Sequence, residues 1–152
     1  MFSQTTHYAL RAMTFLADLA RKNQGNGAAA SSELISAEMQ VPRSYLSKIM
    51  RDLVLAGLVD SQRGPNGGFV LGRSADQITI LDVVNAVDPF NRITECPLGK
   101  PEHTELCPLH RRLDDAMAQV QCAMRNSTLA ELVTTRPAAP TTAKPARRSR
   151  AA

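Results

Sequence analysis

Four side chains with sulfur or imidazole donors fall close together near the middle of this 152-residue chain: Cys96, His103, Cys107 and His110, spaced C-x6-H-x3-C-x2-H. Thiolates with imidazoles suit an iron–sulfur cluster or a zinc ion, and a thiol gives up its proton most readily beside a metal. Cys107-Pro108-Leu109-His110 also begins a helical pattern, and the free N–H groups of a helix start favour anionic ligands. Plainer readings stand beside these. His110 can be a polar residue of a first helical turn and His103 a solvated loop residue. Cys96 and Cys107 without metal can form a thiol redox switch or do nothing. Cys122 falls on the last helix, away from the quartet, and reads as a small residue near a helix seam.

A second group of residues suits nucleic acid. Over about 42–56, Tyr45, Leu46, Ile49, Met50, Leu53 and Val54 take one side of a helical pattern, and Arg43, Ser44, Ser47, Lys48 and Arg51 take the other. A helix enters the major groove only if its outward face is polar, with hydroxyls for base edges and cations for phosphates. Arg63 lies at the tip of a hairpin-like segment beside the glycines of Gly64-Pro65-Asn66-Gly67-Gly68, where an arginine can reach a minor groove or the backbone. Alone, such a helix is often only a solvated surface helix, and such glycines mark only a turn. Their combination at this separation points to double-stranded DNA, with candidate contacts Arg43, Ser44, Tyr45, Ser47, Lys48, Arg51, Arg63 and Asn66.

The elements that must position these residues follow from periodicity and punctuation. Residues 4–21 form an amphipathic pattern with Ser3 as a candidate N-cap, broken by Asn23-Gln24-Gly25-Asn26-Gly27. Ser31 or Ser32 can cap a short helix through Met39, and Pro42 suits the first turn of the next, which Gly57 should stop. Leu58–Arg63 and Phe69–Leu71 read as strands. A helix is expected at about 80–87 and another at about 108–125. On the latter, Leu109, Leu113, Ala116 or Met117, Val120 and Met124 form a stripe like a short coiled-coil seam. Thr128–Leu132 should add one turn. The fold class expected is mainly α with a small β-hairpin wing: a winged helix-turn-helix plus a long dimerisation helix. The division is 1–75 as the DNA-binding region, 76–132 as linker helix, Cys/His loop and dimerisation helix, and 133–152 as a disordered basic tail.

Composition narrows the classes. The net charge of +4 is a tail effect, since residues 133–152 alone carry five basic residues and no acid. Inside the fold, basic excess is confined to 41–73, with five basic and two acidic residues, whereas 76–132 holds five basic and nine acidic. No apolar run approaches the roughly 18 residues of a membrane span, and the N-terminus lacks a secretory pattern, so a cytoplasmic protein with reduced thiols is expected. No nucleophile–base pair or phosphate loop suggests an enzyme.

Several stretches resemble the IscR/NsrR-like, Rrf-type family of iron–sulfur-cluster and nitric-oxide-responsive winged-helix regulators. They are Tyr8-Ala9-Leu10-Arg11-Ala12, Tyr45-Leu46-Ser47-Lys48-Ile49, Ala56-Gly57-Leu58-Val59, Arg63-Gly64-Pro65-Asn66-Gly67-Gly68-Phe69, Ile78-Thr79-Ile80 with Val84-Asn85-Ala86-Val87, and Thr128-Leu129-Ala130-Glu131-Leu132. The resemblance covers residues 1–132 and implies a homodimeric repressor or activator, more often a repressor, on palindromic operators. It maps major-groove contacts onto Ser44 and Ser47 and the wing contact onto Arg63. Ser47 stands where some members carry a longer polar residue, so no operator sequence transfers.

Members commonly carry three cysteines in the loop, sometimes with a histidine following. Cys96, Cys107 and His110 match, but His103 stands in place of the middle cysteine with a shorter spacing after it. Two thiolates disfavour a three-cysteine [4Fe–4S] site and leave a mixed Cys/His [2Fe–2S] cluster, with zinc as the alternative. His7 sits where some members supply a ligand from a partner's first helix. The signal implied is redox state, nitric oxide or iron–sulfur supply. The rival reading is a regulator acting through a protein partner, or a thiol switch with no metal.

Overall fold

The computed structural model describes residues 2–24, 29–96 and 105–134. The first helix, α1 (Gln4–Lys22), begins where Ser3 caps it, its Oγ accepting from the Thr6 N–H at 3.2 Å. Ala9, Ala12, Met13, Leu16 and Ala17 form its buried face, and the small alanines let other backbones approach closely. Helix α2 (Ser32–Met39) is capped by Ser31, whose Oγ accepts from the Leu34 N–H at 3.2 Å. It ends at Gln40, which turns left-handed at φ 53°. Ser36 fixes this corner by donating to the Val41 carbonyl at 2.7 Å.

Helix α3 (Arg43–Leu55) starts one residue later than the sequence pattern suggests. Pro42 takes the cap position itself, with ψ 136°, and its carbonyl accepts from the Tyr45 and Leu46 N–H groups, both at 3.0 Å. Leu46, Ile49, Met50 and Leu53 are buried in the core that α3 shares with α1, α2 and α4, so truncating any one to alanine should cost about 2–5 kcal/mol. Gly57, at φ 68°, ends the helix and turns the chain into β1 (Val59–Gln62), which pairs antiparallel with β2 (Gly68–Leu71). The register sets Val59 opposite Leu71 and Gln62 opposite Gly68, leaving residues 63–67 as the tip. Ala30 adds a rung on the other side of β2 by exchanging two backbone hydrogen bonds with Phe69, at 3.0 and 2.8 Å. This mainly helical fold with a two-stranded wing is the expected class.

After a short 3-10 turn (Ala75–Gln77) comes α4 (Ile80–Val87), held at its start by reciprocal bonds between Thr79 and Asp82. Helices α5 (Pro108–Asn126) and α6 (Leu129–Thr134) follow. Backbone bonds from Ile80 to Ser127 and from Leu129 to Ile78, both 2.9 Å, tie the α5–α6 junction to the start of α4. Val83 of α4 and Leu129 and Val133 of α6 join the core built by α1 to α3, so no gap in packing falls at residue 75.

Val133 and Thr134, expected in the tail, complete α6. Val133 lies one turn beyond Leu129 on the same face and is 6% exposed, a relation that tail composition hides. The remaining tail, 135–152, lies outside the described residues, as does 25–28 of the expected break. Among the described residues no helix is long and apolar enough to cross a membrane.

Two glycines separate conformation from space. A Cβ on Gly57 meets nothing within 4 Å, whereas one on Gly68, at φ 154°, would lie 2.4 Å from the Ala30 carbonyl oxygen. Gly57→Ala should therefore cost about 1–2 kcal/mol, the ordinary left-handed penalty. Gly68→Ala should lower the thermal midpoint further, because it must also break the Ala30–Phe69 rung. Circular-dichroism melts giving equal losses would contradict the role assigned to that rung.

Candidate nucleic-acid interface and metal centre

Arg43, Ser44, Ser47, Lys48 and Arg51 are all exposed on α3, opposite its buried face. The Ser47 hydroxyl donates to the Arg43 carbonyl at 3.2 Å, which leaves its lone pairs available outward. Arg43 meets Glu33 of α2 at 3.2 Å, with both side chains about two-thirds exposed. Such a pair contributes about 0–1 kcal/mol and yields readily to a phosphate. Tyr45 departs from the apolar side assigned to it: it is 50% exposed. Its position precedes Leu46 and lies off the centre of the buried stripe. Its ring rests nearly edge-on against Tyr8, with centroids 5.7 Å apart, and the Arg11 guanidinium lies 6.0 Å from the Tyr8 ring. Arg11 thus brings a further exposed cation towards this end of α3, one that the helix pattern alone did not single out. Arg63 and Asn66 are exposed in the wing tip, where the Gly67 N–H closes the turn on the Gly64 carbonyl at 2.9 Å.

The chain leaving α4 runs along α5. The Phe90 N–H donates to Asn85 Oδ1 at 3.1 Å, and Gln121 Nε2 donates to the Phe90 carbonyl at 2.7 Å. Further on, the Arg92 guanidinium grips both carboxylate oxygens of Asp114, and the Ile93 N–H donates to Asp114 Oδ1 at 3.1 Å. The Phe90 ring packs with Leu81, Val84, Met124 and Phe2 in a small second core.

These anchors bring Cys96 to the start of α5, whose N-cap is Cys107. The His110 Nδ1 lies 3.6 Å from Cys96 Sγ and 3.2 Å from Cys107 Sγ, and all three donors fall within 4.8 Å of one another. Cys96 is buried, and Cys107 and His110 are half-buried. Three members of the sequence quartet therefore meet, while His103 lies outside the described residues. Cys122 is exposed near the far end of α5, with the Asn126 amide donating to its sulfur at 3.5 Å. His7 is exposed on α1. Arg92 and Asp114 carried no legible signal, since an arginine and an aspartate 22 positions apart are common in any chain.

The apolar stripe of α5 divides. Val120 and Met124 turn onto α4, whereas Leu109 and Leu113 are 64% and 47% exposed.

Residues 2–135 match the Rrf2 family, described as "Iron-dependent Transcriptional regulator". The chain belongs to the Rrf2 family. It is a DNA-binding transcriptional regulator with a winged-helix fold, and the family is one of regulators, not enzymes. A protein of Aquifex aeolicus named as an HTH-type transcriptional regulator is 29% identical over 137 residues, covering 88% of this chain and 91% of that one. Among solved structures, CymR of B. subtilis, titled its global cysteine regulator, superposes with a TM-score of 0.73 at 24% identity, covering 90% of this chain and 98% of that one. IscR of T. potens gives 0.71 at 21% identity, covering 88% and 86%. The oxidised form of S. aureus CymR gives 0.69 at 25% identity, covering 90% and 98%.

In this Rrf2 regulator the Asp114 carboxyl is held below the usual carboxylate range, chiefly by the Arg92 guanidinium. Burial opposes the shift, and the Ile93 N–H adds to it. A lowered folded value means that the stabilisation is complete above the unfolded value of about 3.9 and is lost as pH falls through the folded one. The melting-temperature gap between wild type and Asp114→Asn should stay constant from about pH 8 to pH 5 and close below about pH 4. Asp18, held low by Lys22 and Arg21, titrates alike in both proteins and cancels. Curves that remain parallel into strong acid would show that the carboxylate is not engaged.

Proposed function

We propose that this Rrf2 regulator binds a palindromic operator as a homodimer, more often as a repressor, and that Cys96, Cys107 and His110 form its sensing site. The convergence of two thiols and an imidazole within 4.8 Å carries the sensing half of this reading. The donor chemistry fits an iron–sulfur cluster of mixed Cys/His ligation, a [2Fe–2S] centre, because the two thiolates and the imidazole already share one locus. A fourth donor is needed from outside the triad, either His103 or His7 of a second copy of the chain. Bound there, the cluster supplies redox and nitric-oxide reactivity. The protein's own contribution is to hold Cys96 on one segment and Cys107 and His110 on another, so that a change of ligation alters how the 88–96 segment sits on α5.

The dimer reading rests on Leu109 and Leu113, two large apolar side chains left 64% and 47% exposed by the described residues. The DNA reading rests on the exposed Arg43, Ser44, Tyr45, Ser47, Lys48 and Arg51 face of α3, with Arg63 and Asn66 on the wing. Zinc is the second reading, because three donors within 4.8 Å of one another are close enough for one tetrahedral ion to take all of them.

Anaerobic purification with iron, sulfide and zinc analysis decides between the two. The expected product is coloured and contains iron and sulfide. Cys96→Ala and Cys107→Ala should be colourless, whereas Cys122→Ala keeps the colour. Colourless wild type with stoichiometric zinc would replace the cluster with the second reading, and wild type with neither metal would remove both.

For the interface, DNA sites selected from a random pool provide the probe. Arg63→Ala should weaken binding to a selected site by about 1–3 kcal/mol at fixed salt with the dimer intact. An unchanged gel-shift midpoint would remove Arg63 from the contact. Lys48→Ala should weaken selected and random DNA about equally, as loss of a phosphate contact does.

A further inference from the structure

Residues 88–96 form no helix or strand, so no regular backbone ladder fixes where Cys96 sits. Side-chain anchors hold the segment, and among the described residues the last one before Cys96 is the Arg92–Asp114 pair with the Ile93 N–H. We infer that Arg92 and Asp114 are positioning residues for the Cys/His site, a clamp that holds the Cys96 thiol against the start of α5 whether or not a ligand is bound. The inference rests on reading Cys96, Cys107 and His110 as one ligand site.

Three observations carry it. First, Asp114 is the one buried charged side chain among the described residues, at 9% exposure. A buried carboxylate persists only when fully partnered, and here it accepts both arms of a guanidinium and a backbone N–H. Next, the clamp lies close to the donors on both elements. Asp114 is one helical turn beyond His110 on α5, and Ile93 is three residues before Cys96. Three residues of released chain can reach about 10 Å, far more than the few tenths of an ångström a ligand site tolerates. Finally, the segment also carries Phe90, which packs on α4, and α4 packs on α3. The clamp therefore fixes Cys96 to α5 on a segment continuous with the scaffold of the recognition helix.

The test uses the full chain with Cys122→Ser, reduced and freed of metal by chelation. Iodoacetamide alkylation is followed separately at Cys96 and Cys107 by peptide mass, at a temperature where circular dichroism shows each variant folded. Asp114→Asn and Arg92→Gln should each speed Cys96 alkylation by about fivefold or more, as the buried thiol becomes accessible, while Cys107 changes by less than about twofold. The two substitutions change local charge in opposite senses, and loss of a cation by itself slows alkylation by disfavouring the thiolate. A common increase at Cys96 thus reports position, and not electrostatics. An unchanged or slower Cys96 in either variant, or an equal rise at both cysteines, would overturn the clamp. No metal enters this assay, so wild type lacking iron and zinc would overturn the ligand reading while leaving the clamp to be judged on the alkylation rates alone.

Discussion

One face of α1 organises the molecule. Its small buried side chains, Ala9, Ala12 and Ala17 around Met13 and Leu16, let α2, α3, α4, α6 and β2 all pack upon a single helix. Close packing of this kind fixes positions to fractions of an ångström, because a dense interior has no slack to absorb displacement. The exposed polar face of α3 and the base of the wing are therefore held by the same helix. Their relative placement follows from this shared core, reinforced where the Leu58 N–H donates to the Leu53 carbonyl at 3.0 Å on the way from α3 into β1.

The wing depends on a second constraint, the close approach of β2 to Ala30. A two-stranded hairpin alone is marginal in water, and the extra rung attaches it to the segment leading into α2. The helix-turn-helix corner is similarly fixed from one side, by Ser36 bonding across Gln40 to Val41. Neither device contacts the exposed cations, but both determine where those cations point.

The Cys/His site follows a different logic. It lies where core packing is thin, between an irregular segment and the exposed start of α5, and it depends on polar anchors at Asn85, Asp114 and Gln121. Regions held by few apolar contacts open more easily than cores, which suits the sensing role proposed for this site. The small apolar cluster around Phe90 is its link to the rest of the fold. Val120 and Met124 serve that link, whereas Leu109 and Leu113, earlier on α5, stay exposed among the described residues.

The sequence by itself determined the helices, the wing and the split face of α3, because each follows from local rules. Period and caps place α1, α2 and α5, Gly57 ends α3, and Asn66 with its glycines makes a turn. It also nominated Cys96, Cys107 and His110, since donor types and spacing can be read without coordinates. Tertiary structure alone decided the rest. Pro42 became a cap and not a first-turn residue, Val133 joined the core, and Tyr45 met Tyr8 instead of the interior. Above all, Arg92 found Asp114 across 22 positions. Such a contact leaves no local pattern, because the chain between its partners can take many paths, and only the packing of α4 and α5 selects the one that closes it.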